Sequence, residues 1–174
     1  NPFTIPSKKS VSLDYRVKNK VVYPLNFDSH AFLSIYWNIE KTFEFWQKNF
    51  DLGPEKLGKI SLFYEPEFVV ARENSKYSLL SKVNASFFLG TTFFAFYGTS
   101  SFEELPLKMN LSVFAHEFGH FIFDYFFAAK EYKTYLTDKA FSSSQELSGI
   151  NEGFADFCSW LVSKSTNPLE LSLP

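Results

Sequence analysis

The sequence predicts an α+β domain in which a twisted, mostly antiparallel sheet packs against one apolar helix. Three features of the chain predict this fold class. Aromatic and aliphatic residues recur at three- and four-residue steps from Asp28 to about Phe50, which is typical of a helix. Short β-prone runs between residues 59 and 98 indicate strands. The apolar stretch Leu111 to Ala129 contains Gly119 but no other Gly or Pro, which favours a buried helix.

Each element has its own signal along the chain. Prolines and short β-prone pieces in residues 1–27 predict an extended lead-in with a strand or two. Asp28 or Ser29 can cap the first helix, and Leu52 and Gly53 are expected to end it. The later elements are expected as strands over 59–63, over 68–71 and within 84–98, a helix over 111–129, a serine-rich connection around 142–144 and a last helix over 151–162.

Composition and charge exclude several classes of protein. With 45% apolar and 20% aromatic residues, a chain of 174 residues can form one domain, which we place at residues 28–164, before a tail at 165–174. The 17 basic and 19 acidic residues are balanced, with no basic cluster beyond Lys8–Lys9, so we expect no nucleic-acid partner. Polar residues and glycines interrupt the uncharged stretch Val83 to Phe102, so we expect no membrane-spanning segment. The single cysteine, Cys158, excludes an intrachain disulfide.

The motif His116-Glu117-Phe118-Gly119-His120 gives the apolar helix a candidate chemistry. Its two histidines are four residues apart, so both imidazoles lie on one helix face and can reach one tetrahedral metal ion. Glu117 lies about 100° around the helix from His116. In that position a carboxylate can take a proton from a zinc-bound water. We therefore expect His116 and His120 to bind zinc and Glu117 to act as the general base.

A catalytic zinc ion also needs a third protein ligand and an open position for water. Thirty-two residues after His120, Glu152 and Asp156 are four residues apart and share a face of the last predicted helix. We expect Glu152 to be the third ligand. Asp156 is expected to accept the free ring N–H of a ligand histidine, because such a bond fixes the ring tautomer and raises its basicity.

Four segments of the chain match the pattern of one known family. They are the zinc motif continuing into Asp124-Tyr125, the run Gly149-Ile150-Asn151-Glu152 with Asp156, the run from Asn84-Ala85 through aromatic residues to Tyr97-Gly98, and Asp28-Ser29-His30. Together they resemble the thermolysin-like gluzincin metallopeptidases, over about Asp28 to Leu161.

The resemblance implies more than the motif alone. It implies a zincin-like fold, a zinc cofactor, a peptide or protein substrate and, by analogy only, a secreted, periplasmic or cell-surface location. It also implies that Asn151 supports the metal site together with Asp156. The backbone of Asn84 and Ala85 is expected to pair with an extended substrate as an added strand.

Two features depart from that family. Its members have a second helical subdomain with a histidine that helps to hold the transition-state oxyanion. Here only 22 residues and no histidine follow Glu152, so that subdomain is expected to be short or absent, or to lie beyond Pro174. The oxyanion-side tyrosine of the family falls on Ser143, and neither Tyr132 nor Tyr135 matches it. Losing oxyanion donors typically costs about 100-fold or more in rate, so metal binding is better supported than turnover.

Three functions remain open at this point. The first is a zinc-dependent endopeptidase, with internal cleavage expected because the sequence suggests no device for capturing the amino terminus of a peptide. The second is a non-catalytic zinc-binding module. The third is a latent peptidase whose own terminal segment fills the cleft.

Structural roles compete with functional ones at several positions. The histidine pair can be a pair of helix-surface residues, and Glu152 can be an ordinary acid at a helix start. His30 fits a cap or a surface role, and Cys158 fits a small core residue better than a metal ligand. Asp124 can support the site or make a structural hydrogen bond.

Overall fold

Helices dominate the described part of the chain. The computed structural model describes residues 3–4, 12–58, 61–64, 69–72, 75–79, 85–88, 93–96, 106–127 and 141–167, with side chains described in 12–58, 64, 106–127 and 146–167. In chain order the helices are α1 (Phe27–Phe50), the single turn α2 (Pro54–Leu57), a 3-10 turn (Leu107–Met109), α3 (Leu111–Phe127) and α4 (Phe141–Ser163). None of the helices in these described ranges has the length and apolar character needed to cross a bilayer.

The limits of α1 follow from the residues at its ends. The Oδ1 atom of Asn26 accepts a hydrogen bond from the backbone N–H of Ser29 at 2.8 Å, so Asn26 caps the helix. The expected cap at Asp28 or Ser29 is therefore wrong. Ser29 is fully buried, and its hydroxyl accepts a hydrogen bond from the backbone N–H of Asp14 at 2.8 Å. Asp51 adopts a left-handed conformation, with φ of 56°, so the helix ends at Phe50 as predicted, but the residue that ends it is Asp51 and not Leu52 or Gly53.

The described strands form small separate sheets. They are β1 (Phe3–Thr4), β2 (Tyr15–Lys18), β3 (Val21–Pro24), β4 (Ser61–Tyr64), β5 (Val69–Arg72), β6 (Ser75–Leu79), β7 (Ala85–Phe88) and β8 (Phe93–Phe96). Among these strands, β1, β5 and β6 form one sheet, β2 and β3 a second, and β4, β8 and β7, in that order, a third. β4 and β8 are parallel, whereas the other pairs are antiparallel.

The predicted architecture of one twisted, mostly antiparallel sheet packed on the active-site helix is wrong. Of the residues whose side chains the structure describes, 72% are helical, and the sheet among them is the two-stranded β2–β3 pair. The physical reason is strand length, because each described strand has only two to five residues. Alternation of apolar and polar residues over so short a run indicates a strand but does not identify its partner. The parallel β4–β8 pair also needs a crossover connection, which a local sequence pattern does not show.

A tight hairpin, β2–β3, lies beside α1. Asn19 and Lys20 connect its strands and have positive φ angles of 53° and 63°. Two consecutive residues of this kind form the turn whose twist matches that of the flanking strands. In the antiparallel register Val17 lies opposite Val22 and Tyr15 lies opposite Pro24. Because opposite residues share a face, these four apolar side chains form one surface of the hairpin.

The core of the described chain lies where α1 and α3 meet. Phe118 is fully buried, and its ring meets Phe43 at 5.1 Å and Phe121 at 5.3 Å in edge-to-face contacts. The other buried members of this cluster are Ile35, Trp46, Leu52, Leu57, Val113, Phe114, Ile122 and Cys158. Asn110 caps α3, because its Oδ1 atom accepts a hydrogen bond from the backbone N–H of Ser112 at 2.9 Å.

The last helix is longer than predicted. It was expected at 151–162, after a serine-rich connection at 142–144, but α4 already begins at Phe141 and includes those serines. Serine is well tolerated at the start of a helix, so a run of serines before an apolar pattern does not exclude helix there. The predicted end of the helix agrees with Ser163 to within one residue.

α3 and α4 approach each other closely at Gly119. A Cβ atom built at this position lies 2.7 Å from the Cα atom of Ala155 and 3.0 Å from the Cβ atom of Cys158. The buried hydroxyl of Ser159 donates to the carbonyl oxygen of Ser112 at 2.8 Å and links the same two helices. Glycine at position 119 therefore sets the distance between the helices.

We expect Gly119→Ala to lower the free energy of unfolding by about 1–3 kcal/mol, because the added methyl group forces the helices apart. The matched control is Gly149→Ala on α4, where no atom lies within 4 Å of the added Cβ atom. That change is expected to stabilise the protein by about 0.5–1 kcal/mol through helix propensity. Urea unfolding of both variants measures the difference, and a Gly119→Ala variant as stable as Gly149→Ala contradicts the close approach.

Candidate metal centre

The predicted metal ligands come from two packed helices. His116 and His120 lie one turn apart on α3, and Glu152 lies on α4. One ligand atom from each of these three residues lies within 4.8 Å of the others, in a group that the described residues offer for a metal ion. The structure thus brings together residues that are 36 and 32 positions apart in sequence.

Three distances define the arrangement. His116 Nε2 and His120 Nε2 are 3.1 Å apart, and Glu152 Oε2 lies 3.4 Å from the first and 3.6 Å from the second. In a tetrahedral zinc site with metal–ligand distances of about 2.0–2.1 Å, ligand atoms are about 3.3–3.4 Å apart. The observed separations bracket that value, so the three atoms fit the corners of one tetrahedral face.

Hydrogen bonds on the far side of both rings orient them. His116 Nδ1 lies 3.0 Å from Asp156 Oδ1, and His120 Nδ1 lies 3.0 Å from Asn151 Oδ1. A carboxylate oxygen and an amide oxygen are both acceptors, so each Nδ1 atom carries the proton and donates it. Each Nε2 atom then keeps its lone pair directed at the shared centre, which is the tautomer that a metal ligand needs.

The two helices expose the site unequally. The side chains of His116 and His120 are 24% and 13% exposed, whereas that of Glu152 is 59% exposed. α3 therefore shields one side of the group, and the side of the carboxylate is open to solvent. This asymmetry leaves room for a water molecule or a substrate at a fourth position, which is how catalytic zinc sites differ from structural ones.

Glu117 lies between the two histidines in sequence but on a more buried part of α3. The residue is only 9% exposed, and it is the one carboxylate in the buried face of this helix. A buried carboxylate is costly unless it is bonded or performs chemistry. Its position beside His116 is the one from which the sequence predicts a general base.

Of the two residues predicted to bind substrate, the structure describes Ala85, at the start of β7. Ala85 is the first residue of that strand and pairs with Phe96 of β8. β7 ends the strand order of its sheet and lies beside α3, so among the described strands its outer edge has no partner. Asn84 lies outside the described residues.

Other residues considered in the sequence lie away from the three-residue group. Cys158 is fully buried against Gly119, and burial raises the pKa of its thiol from 9.0 to about 12. Its place in the core agrees with the structural role expected for it. His30 is exposed on α1. Asp124 is half-buried on α3, one turn after His120.

The sequence did not identify Gly119 as the residue that allows α3 and α4 to approach closely. The signals were present, because Gly119 is a glycine inside an apolar helix and Ala155, three residues after Glu152, is small. Only the packed structure shows that the two face each other. Ser143, Tyr132 and Tyr135, which bear on the oxyanion, lie outside the residues whose side chains are described.

Comparison with models of known protein families, with curated proteins and with solved structures gave no match to this chain. The functional argument therefore rests on the site itself.

We expect Asp156→Ala to weaken zinc binding about 10- to 100-fold, because His116 loses the acceptor that fixes its tautomer. Glu146→Ala is the matched control, since it removes an exposed carboxylate from the same helix. Competition with a chromophoric chelator measures both affinities. Equal weakening in the two variants points to general electrostatics and contradicts a specific role for Asp156.

We expect the thiol of Cys158 to react at least 100-fold more slowly with a disulfide reagent in the folded protein at pH 8 than in guanidinium. With the pKa raised from 9.0 to about 12, the thiolate is scarce in the folded state. Since unfolding restores the lower pKa, the unfolded state loses this proton first, and the group's contribution to stability falls as the pH rises from 9.0 towards 12. Equal labelling rates before and after denaturation contradict the buried position.

Proposed function

We propose that this chain is a zinc-dependent endopeptidase in which His116, His120 and Glu152 bind the metal ion and Glu117 is the general base. The observation that carries the proposal is the triangle of two Nε2 atoms and one carboxylate oxygen, with sides of 3.1, 3.4 and 3.6 Å. Two imidazoles and one carboxylate form a ligand set typical of catalytic zinc in peptidases.

The choice of zinc follows from the ligand chemistry. Imidazole nitrogen suits zinc and other transition metals, whereas magnesium and calcium prefer ligand sets made of oxygen. The described group offers two nitrogen atoms and one oxygen atom at tetrahedral spacing. A bound zinc ion supplies Lewis-acid chemistry, because it polarises a carbonyl group and lowers the pKa of water.

The protein side chains then have separate tasks. Asp156 and Asn151 hold the imidazole rings through their Nδ1 protons. The carboxylate of Glu117 accepts a proton from the attacking water and later delivers it to the nitrogen of the leaving amine. Its burial at 9% exposure limits competition from bulk water for that proton.

A peptide substrate agrees with the surroundings of α3. β7 runs beside this helix and ends its sheet, so an extended peptide can add to its outer edge through backbone hydrogen bonds. Ala85 is the described residue from which this pairing is proposed to start. Backbone pairing places little restriction on side chains, which favours cleavage within varied peptide sequences.

A second candidate is a zinc-binding module without turnover. The observation that favours it is Ser143, which stands where the resembling family has an oxyanion-side tyrosine. Without such a donor, the negative charge that develops in the transition state lacks a partner. This module and the peptidase share the metal centre and differ in activity alone.

The test compares three variants with the unaltered chain for zinc content and cleavage of casein. We expect Glu117→Gln to keep zinc and to lose activity by 100-fold or more, because it removes the base but no ligand. His120→Ala is expected to lose both zinc and activity. Glu146→Gln, which alters an exposed glutamate of α4, is expected to change neither.

The outcomes separate the candidate functions. A chain that binds zinc but is as inactive as Glu117→Gln favours the non-catalytic module. Activity that appears only after limited proteolysis favours the latent form. A chain that binds no zinc contradicts the metal centre, and activity that survives Glu117→Gln contradicts the proposed base.

A further inference from the structure

A second concave site lies away from the metal centre. A cavity of about 680 Å³ opens between the β2–β3 hairpin, α1 and the ends of α3 and α4. Its volume is within the range of about 300–1,000 Å³ that is typical of small-molecule sites. No residue of the metal centre lines it, and Ser163 at its rim is eleven residues after Glu152, or about 16 Å along α4. We call this cavity the hairpin pocket.

The hairpin contributes an apolar wall to the pocket. Val22 and Pro24 line it and belong to the apolar face of the hairpin that includes Tyr15 and Val17. Trp37 of α1 also lines the pocket and is 50% exposed. A half-exposed indole and an apolar strand surface that line the same cavity suit a planar ring.

The floor of the pocket is polar and deeply buried. Asn38 is 2% exposed, Asn110 is 7% exposed and Ser112 is 6% exposed, and all three line the cavity. Asn38 donates through Nδ2 to the carbonyl oxygen of Met109 at 3.2 Å. This hydrogen bond fixes the position of the amide nitrogen. Among the described residues, Asn38 Oδ1 and the hydroxyl of Ser112 have no hydrogen-bond partner. Neither atom is among the fully buried, unpaired polar atoms of the described residues, which are Thr42 Oγ1 and Trp46 Nε1. Solvent therefore reaches both atoms, and the hydroxyl group of a ligand can take the place of water as their hydrogen-bond partner.

The lining carries no fixed charge. Among the described lining residues there is no Lys, Arg, Asp or Glu, and His30 is the one titratable group. Lys41 lies 5.9 Å from the Trp37 ring but is paired with Glu44 at 2.6 Å. A charged ligand that entered the pocket would lose hydration without gaining a counter-charge, so the lining selects an uncharged one.

We propose that the hairpin pocket binds an uncharged, planar aromatic alcohol, with its ring between Trp37 and Val22 and its hydroxyl at Asn38 and Ser112. A hydroxyl group matches this floor because it can donate to Asn38 Oδ1 and accept from the Ser112 hydroxyl at the same time. The proposal is independent of the peptidase assignment, since the two sites share no residue.

The test uses 2-naphthol as the probe, in calorimetric titration of the intact chain. We expect saturable binding at one site with a dissociation constant below about 1 mM, a modest affinity for a probe of this size. Two related compounds test the chemistry. We expect 2-methoxynaphthalene, which cannot donate a hydrogen bond, to bind at least fivefold more weakly, and naphthalene-2-sulfonate, which is charged, to show no saturation.

Neighbouring variants locate the site. Trp37→Ala is expected to weaken binding of 2-naphthol at least tenfold. Tyr36→Ala is the matched control, because Tyr36 is similarly exposed, at 56% against 50% for Trp37, but does not line the pocket. Zinc chelation is expected to leave the affinity unchanged. Absence of saturable binding overturns the proposal, as does equal weakening in the two variants or preferential binding of the sulfonate.

Discussion

The close crossing of α3 and α4 is the constraint on which the candidate metal centre depends. The two histidines are held at a fixed spacing by the helix they share, but the carboxylate comes from another helix and arrives only if the two axes approach closely. Gly119 permits that approach, because its missing side chain is where the backbone of Ala155 lies. The Ser159–Ser112 hydrogen bond fixes the same pair of helices further along. The packing of α3 against α4 therefore also sets the geometry of the candidate ligand group.

Helix packing sets the positions of the histidine rings, and their hydrogen bonds set the orientations. An imidazole can rotate and can carry its proton on either nitrogen, so a correct position alone does not direct a lone pair at a metal. The hydrogen bonds to Asp156 and Asn151 fix both the rotation of each ring and the nitrogen that carries its proton, and both acceptor residues lie on α4. The helix that carries the proposed third ligand therefore also orients the two histidines proposed as the first two. The three α4 residues around the histidine pair, Asn151, Glu152 and Asp156, lie within six residues of one another.

The sequence predicted the parts of the molecule that are local. The helix from Asp28 to about Phe50 and the apolar helix after Leu111 could be predicted because their periodicity is contained in each segment. The spacing of His116 and His120 is equally local. The association of Glu152 with them is not local. It could be anticipated only because Glu152 and Asp156 share a helix face, from which one carboxylate can bind a metal ion and the other can accept the ring N–H of a ligand histidine.

The failures of prediction were at long range or at element ends. Short strands do not specify their partners, so the expected sheet was wrong and the parallel β4–β8 pair was unforeseen. The cap of α1 was misplaced because the side chains of Asn26, Asp28 and Ser29 can all cap a helix. The choice depends on which of them accepts a hydrogen bond from a backbone N–H of the first turn, and in the structure it is Asn26. The hairpin pocket could not be predicted at all, since its lining joins residues from Val22 to Ser165.

The two exposed carboxylates on the ligand face of α4 have a thermal consequence. Glu152 and Asp156 are like charges four residues apart, an arrangement that disfavours helix by a few tenths of a kcal/mol. A divalent cation held by Glu152 in the proposed metal centre would reverse the sign of that local field. In a zinc-bound form, loss of the ion would restore that repulsion in the middle of α4, so removal of the metal and loss of heat resistance would affect the same helix.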